Sequence, residues 1–136
     1  MWVALILALA MQSAAPSPVV VIAKETMSRV DEPVQVVART AAEWTALWRR
    51  HAGDTKPPAV DFNTRTVVAV FLGTRPTGGF AVDIGATRDA GGTLIVQWHE
   101  RRPGPDMMTA QVMTSPAVIA SIPKFAGEIK FEKADK

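Results

Sequence analysis

The sequence predicts an α+β fold: a mainly antiparallel β-sheet, curved or sandwich-like, with one covering helix near residues 41–52. Three observations predict this class. One segment is apolar at nearly every position, several segments alternate apolar with polar residues, and one segment repeats apolar residues at helical spacing. Because sheets and helices both bury an apolar side, a helix packed on a layered sheet of about six to eight strands accommodates all three patterns.

The first 15 residues have the pattern of an export signal, followed by a spacer at residues 16–18. An uncharged apolar run leads into small residues suited to signal-peptidase cleavage, and the run is about half the ~20 residues of a spanning helix. A retained anchor is the alternative, because no basic residue precedes the run and Pro16 hinders cleavage after Ala15. We expect export to the periplasm or the extracellular space, no membrane span after signal cleavage, and a single domain over residues 19–136.

The composition excludes disulfides and thiolate metal sites, and it argues against a nucleic-acid partner. The chain has no cysteine, so disulfides and thiolate metal sites cannot form, and the fold depends on its apolar core. The formal net charge is +2, and only Arg49-Arg50 and Arg101-Arg102 are adjacent basic pairs. Nucleic-acid-binding proteins concentrate basic charge on one face. The scattered basic residues therefore predict no nucleic-acid partner.

Two strands and the helix are predicted first along the domain. β-branched runs at residues 19–23 and 34–38 are typical of strands. Thr40 and Glu43 have the spacing of a capping box, in which the Glu43 carboxylate reaches back to the N–H of Thr40. Gly53 suits the position after the helix. The residues that share one helical face are Trp44, Leu47, Trp48 and His51.

The apolar segment from Thr66 to Leu72 predicts a strand that is buried on both faces at the centre of a sheet. The helix is expected to cover one face and further sheet the other. Residues 80–84, 94–98 and 129–131 alternate like half-buried strands, and Gly91-Gly92 predicts a hairpin between the first two of them. The predicted core comprises Trp44, Leu47, Trp48, Val68, Val70, Phe71 and Trp98.

A series of short motifs follows the helix in a characteristic order. PAVDF at residues 58–62 comes first, RPTGGF at residues 75–80 is the most specific, and PG, TSP and IPK come later. Over residues 39–131 this order resembles the PrcB C-terminal domain family. The resemblance implies an exported, non-catalytic accessory module that binds and stabilises a partner protein, with a secreted protease as the candidate partner.

The RPTGGF segment has two interpretations. Pro76 fixes φ and the following glycines tolerate positive φ, which is typical of a tight connection between strands. Alternatively, the loop contacts a partner, or its backbone N–H groups hold an anion beside Arg75. An alternative function is therefore a small-ligand or peptide-binding β domain that uses the TGG loop. The predicted contact residues are Arg75, Pro76, Thr77, Gly78, Gly79, Phe80, Arg101, Arg102, Met107 and Met108.

The sequence contains no recognisable catalytic constellation. His51 and His99 are its only histidines; they lack metal-ligand spacing and are expected at the surface or at the helix end. His99 and Glu100 are neighbours on a strand and point to opposite faces, and Asp61 suits an Asx turn. No serine lies in a G-x-S-x-G setting. We therefore predict no enzymatic activity, no cofactor and no metal site, with a hydrolase as the least favoured alternative.

Overall fold

The structure is a computed structural model that describes residues 19–134. The predicted export signal and spacer lie outside the described residues. No helix within residues 19–134 is long and apolar enough to span a membrane. In chain order the elements are β1 (Val20–Glu25), β2 (Pro33–Ala38), α1 (Ala41–Ala52), β3 (Arg65–Leu72), β4 (Ala81–Ala90), β5 (Thr93–Arg101), β6 (Ala117–Pro123) and β7 (Glu128–Lys133).

The strands form two sheets that share an apolar interior. The first sheet has the order β1-β6-β3-β2, and all of its neighbouring strands are antiparallel. The second has the order β4-β5-β7, in which β4 and β5 are antiparallel and β7 runs parallel to β5. The predicted α+β class, a mainly antiparallel and sandwich-like sheet with one helix, is confirmed for the described residues.

β3 lies at the centre of the molecule between β2 and β6, and its residues from Val67 to Leu72 are at most 3% exposed. Its odd-numbered side chains in this range pack with Trp44 and Leu47 of α1. Its even-numbered side chains pack with residues of the second sheet, including Val82 and Val96. A strand with both faces covered has to be apolar throughout, which is the pattern that the sequence shows.

The helix is capped at both ends. The N–H of Glu43 donates to Oγ1 of Thr40 at 3.1 Å, as predicted. The Glu43 carboxylate, however, accepts from the N–H of Arg39 at 2.7 Å, one residue before the predicted donor. At the other end Gly53 has a φ of +73°, and its N–H donates to the carbonyl of Arg49 at 2.9 Å. Local hydrogen bonds thus define both ends of the helix.

The seven residues predicted as core divide into two groups. Trp48 and Trp98 are half-buried. The indole N–H of Trp48 donates to Oγ1 of Thr55 at 2.9 Å, and Nζ of Lys133 lies 5.5 Å from the ring centroid of Trp98. These two tryptophans pack one side on the core and keep polar contacts at the surface. The five that are buried are Trp44, Leu47, Val68, Val70 and Phe71.

His51 lies in the last turn of α1, as the helix-end expectation has it, but it is buried, so the surface alternative is wrong for this residue. The residue is 5% exposed, its Nδ1 lies 2.8 Å from Oγ of Ser28, and its ring packs edge-on against Trp48. Burial lowers the pKa of His51 below 6.5, and the charge of Glu25 opposes this effect. The reason for its position is helical spacing, since residue 51 follows Trp44 by seven and shares its apolar face.

Two turns have the predicted chemistry. Gly91 and Gly92 join β4 to β5 with φ values of +66° and +92°, as a two-residue hairpin turn with two positive φ angles requires. Before β3, Oδ1 of Asp61 accepts from the N–H of Asn63 at 3.0 Å, which is an Asx turn.

Candidate functional site

The RPTGG loop, residues 75–79, carries the chain from β3 in the first sheet to β4 in the second. Gly79 has a φ of +90°, and a Cβ at this position would lie 2.8 Å from Cβ of Pro103. The N–H of Gly78 donates to the carbonyl of Ala110 at 2.9 Å. The loop therefore packs directly on the segment that follows β5. Because the N–H of Gly78 is already bonded, it does not point into an open anion site.

Arg75 holds this loop to the second sheet. Its Nε donates to Oε2 of Glu100 at 2.7 Å and its Nη2 donates to Oε1 at 3.1 Å, while Nη1 donates to the carbonyls of Leu72 and Thr74. The Glu100 side chain is only 3% exposed. The hydrogen bonds from Arg75 lower the pKa of Glu100, and the same bonds raise the pKa of Arg75. The two residues form a bidentate ion pair near the C-terminal end of β5.

The backbone of Arg75 also closes the long connection from β5 to β6. Its N–H donates to the carbonyl of Thr114 at 2.7 Å, and the N–H of Thr114 donates back to its carbonyl at 2.9 Å. Oγ1 of Thr114 donates to the carbonyl of Thr77 at 3.0 Å. Both ends of residues 102–113, which we name the methionine loop, are thus anchored at the Arg75–Glu100 pair.

The methionine loop exposes apolar side chains on this fixed base. Met108 is 98% exposed, and Met107, Val112 and Met113 are each at least 47% exposed. Met27, which is 62% exposed, forms a backbone bridge with Ser115 just beyond the loop. Every methionine among residues 19–134 is therefore at the surface, where unbranched thioether side chains are typical of adaptable binding surfaces.

A group of charges lies at the same end of the second sheet. Asp83 accepts hydrogen bonds from Nζ of Lys24 and, at 2.7 Å, from Nε of Arg101, while Nε2 of His99 lies 3.7 Å from its Oδ2. Burial raises the pKa of Asp83, but its bonds to Lys24 and Arg101 outweigh this and lower it overall. Lys24, Asp83, His99 and Arg101 therefore lie together, and the Asp83 carboxylate is hydrogen-bonded to both Lys24 and Arg101. The arrangement is an ionic link between β1, β4 and β5.

The fold gathers basic residues that are far apart in the sequence. Arg102 and Lys133 lie 3.9 Å and 3.8 Å from the Glu100 carboxylate, which Arg75 already neutralises. Lys24 and Arg101 contact a separate carboxylate, Asp83, which pairs with His99 and so lies on the face of the sheet opposite to Glu100. Three basic residues that are scattered in the sequence therefore surround Glu100 in the fold. Sequence spacing gave no signal of this group, because its members come from β7 and two loops.

The predicted contact residues are not equally accessible. Arg101, Arg102, Met107 and Met108 are exposed. In the RPTGGF segment, by contrast, only Pro76 and Gly79 are exposed; Arg75, Thr77, Gly78 and Phe80 are partly buried, and Arg75 is engaged with Glu100. The residues that sequence reasoning did not include are Lys24, Met27, Val112, Met113 and Lys133.

The Ser28–His51 pair has the hydrogen-bond geometry of a serine–histidine dyad without its accessibility. Ser28 is 8% and His51 5% exposed, and Oγ of Ser28 also accepts from the N–H of Val30 at 3.1 Å. The hydroxyl is thus used to hold the β1–β2 connection against the helix. No group of three or more His, Cys, Asp or Glu side chains within residues 19–134 is arranged to hold a metal ion.

A surface cavity of about 230 Å³ lies at the end of α1, between Thr45, Trp48 and Arg49 of the helix and residues 53–57 after it. The RPTGG loop does not line it. Between that loop and the methionine loop the structure shows direct packing, of Gly79 on Pro103 and Thr109. The geometry therefore does not favour a ligand site at the TGG loop.

Comparison with known proteins supports the resemblance inferred from the motifs. The family model described as PrcB C-terminal matches residues 66–123, which run from β3 through the RPTGG loop and the methionine loop to the end of β6. No curated protein and no solved structure gives a significant match to the chain. The predicted resemblance to the PrcB C-terminal family is thus confirmed over residues 66–123.

Proposed function

We propose that this protein is an exported, non-catalytic accessory module that binds and stabilises a partner protein, with a secreted protease as the first candidate. The observation that carries the proposal is the methionine loop, which presents Met107, Met108 and Met113 to solvent from a base fixed by Arg75 and Glu100. The family match over residues 66–123 is consistent with it, because the name of that family denotes a protease-complex subunit.

The loop combines two properties that favour binding. Its base is held by backbone bonds to Thr114 and by the close approach of Gly79 to Pro103, so little ordering of the main chain remains when a partner binds. Its methionine side chains are flexible, so they can fill apolar pockets of irregular shape on a partner protein. A rigid base with adaptable side chains suits the recognition of a folded protein surface.

The test is purification of the full chain, tagged at its C-terminus, from the exported fraction of its own organism, followed by reconstitution with the protein that accompanies it. We expect a stable complex in which the partner resists unfolding. At about 100 times the dissociation constant, binding adds about 2.7 kcal/mol to the partner's unfolding free energy. A chain that elutes alone, and that leaves the melting temperature of every co-fractionating protein unchanged, contradicts the proposal.

A further inference from the structure

The methionine loop begins and ends beside the basic residues that surround Glu100. We name this region the basic–methionine surface and define it by Arg102, Met107, Met108, Met113 and Lys133. Arg102 is the first residue of the methionine loop and lies beside Glu100, as Lys133 does. Met113 precedes Thr114, whose backbone pairs with Arg75 at the other side of the same carboxylate. Arg102, Lys133 and the end of the methionine loop thus lie beside the same ion pair, Arg75–Glu100.

We propose that the basic–methionine surface takes an acidic segment of the partner protein that also carries apolar side chains; this inference rests on the proposed function and specifies its partner. Arg102 and Lys133 have side chains that are 71% and 52% exposed. Glu100 is neutralised by its bidentate bonds to Arg75. The charges of Arg102 and Lys133 are therefore available to carboxylates of a partner.

The balance of charge favours a peptide over a nucleic acid. Three basic groups, those of Arg75, Arg102 and Lys133, surround the single carboxylate of Glu100, which leaves an excess of two positive charges around it. Proteins that bind duplex DNA typically make about 6–10 phosphate contacts. An excess of two suits a short acidic segment, and the methionines provide the contact for its apolar side chains.

The experiment measures the binding of fluorescein-labelled synthetic peptides to the full chain by fluorescence anisotropy. The main probe alternates Glu with Leu; one control peptide replaces Glu by Lys, and another replaces Leu by Ser. We expect the Glu–Leu peptide to bind at least about tenfold more tightly than either control. Its affinity is also expected to fall as NaCl rises from about 50 to 300 mM, because surface charges are screened.

Two double variants locate the site. Arg102→Gln with Lys133→Gln, and separately Met108→Ser with Met113→Ser, are each expected to weaken binding of the Glu–Leu peptide by about tenfold. Arg49→Gln with Arg50→Gln removes the same charge from α1, and Val20→Thr with Val21→Thr removes exposed apolar side chains from β1. These two controls should bind like the unaltered protein. The melting temperature of every variant verifies that it is folded.

Any of four results would overturn the inference. These are equal binding of the Lys–Leu peptide, undiminished binding by both surface variants, preference for a single-stranded oligonucleotide over the Glu–Leu peptide, and absence of measurable peptide binding. The proposed function is judged separately by the partner complex. A complex that survives the Arg102→Gln, Lys133→Gln change would retain the accessory role and reject this surface.

Discussion

Arg75 stabilises the protein by neutralising a carboxylate that is almost completely buried. Replacing Arg75 by Ala leaves Glu100 with only the more distant Arg102 and Lys133, at 3.9 Å and 3.8 Å. We expect a loss of about 1–3 kcal/mol in the free energy of unfolding, measured by urea denaturation. The exposed pair of Arg88 and Glu132 is the control, because water screens it and Arg88→Ala should cost much less stability than Arg75→Ala. Equal losses in the two variants would contradict a special role for Arg75.

The same pair makes stability depend on acid. Because the folded pKa of Glu100 lies below its ordinary value, the unfolded chain binds a proton first as the pH falls. The stabilisation is complete above the unfolded pKa near 4.5 and is lost as the pH falls through the folded pKa. In Arg75→Ala the acid midpoint of unfolding should therefore move to higher pH, and an unchanged midpoint would contradict the assignment.

His51 should make the protein less stable in mildly acidic solution. Its folded pKa is lowered by burial from 6.5, so protonation favours the unfolded state as the pH falls below that value. We expect the urea midpoint to be constant above about pH 7.5 and to decline toward pH 5.5. His51→Gln should remove this decline, whereas His99→Gln is the control that should retain it. A decline that persists in His51→Gln would assign the effect to other groups.

Among the elements, the RPTGG loop depends on a glycine at position 79. A side chain there is strained by the φ of +90° and meets Pro103 and Thr109. Gly79→Ala should lower the free energy of unfolding by about 1–3 kcal/mol, as measured by thermal or urea denaturation. Gly85→Ala in β4 is a matched control, since a Cβ there has no atom within 4 Å. Comparable stability of the two variants would show that the loop tolerates a side chain.

The elements that could be predicted from the sequence have local causes. The helix follows from the cap at Thr40 and the spacing from Trp44 to His51, and the turn at Gly91-Gly92 follows from two residues that favour positive φ. β3 follows from an unbroken apolar run. The parallel pairing of β7 with β5 has no such cause, because it joins strands separated by the methionine loop and β6.

For the candidate site, the sequence indicated which residues were unusual but not which of them contact one another in the fold. Arg75 and Glu100 are 25 positions apart, and the loop residues Arg102 and Met108 gave no sign that Lys133 lies near them. A charged residue is also assigned to the surface by default, so the almost buried Glu100 could not be foreseen. These contacts depend on which strands pair over long sequence distances, and the periodicity of the sequence does not show that pairing.

In the whole molecule, β3 couples the two sheets and the helix into one cooperative unit. Its alternate side chains belong to two different apolar clusters, so neither cluster can open while the other keeps this strand in place. We expect chemical denaturation to give a single transition, coincident in tryptophan fluorescence and far-ultraviolet circular dichroism. Val67→Ala and Val68→Ala, which truncate opposite faces, should shift both signals equally. Separate midpoints for the two signals would show that the layers unfold independently.

The parallel strand β7 has a consequence for biosynthesis. When residues up to Pro123 have left the ribosome or the export channel, every strand of the first sheet is available, yet the second sheet has only β4 and β5. Until residues 128–133 emerge, the outer edge of β5 has unpaired backbone groups and uncovered apolar side chains at Leu94 and Val96. Such an edge recruits other strands. Nascent chains halted before β7 should therefore be the form of this protein that aggregates or engages chaperones.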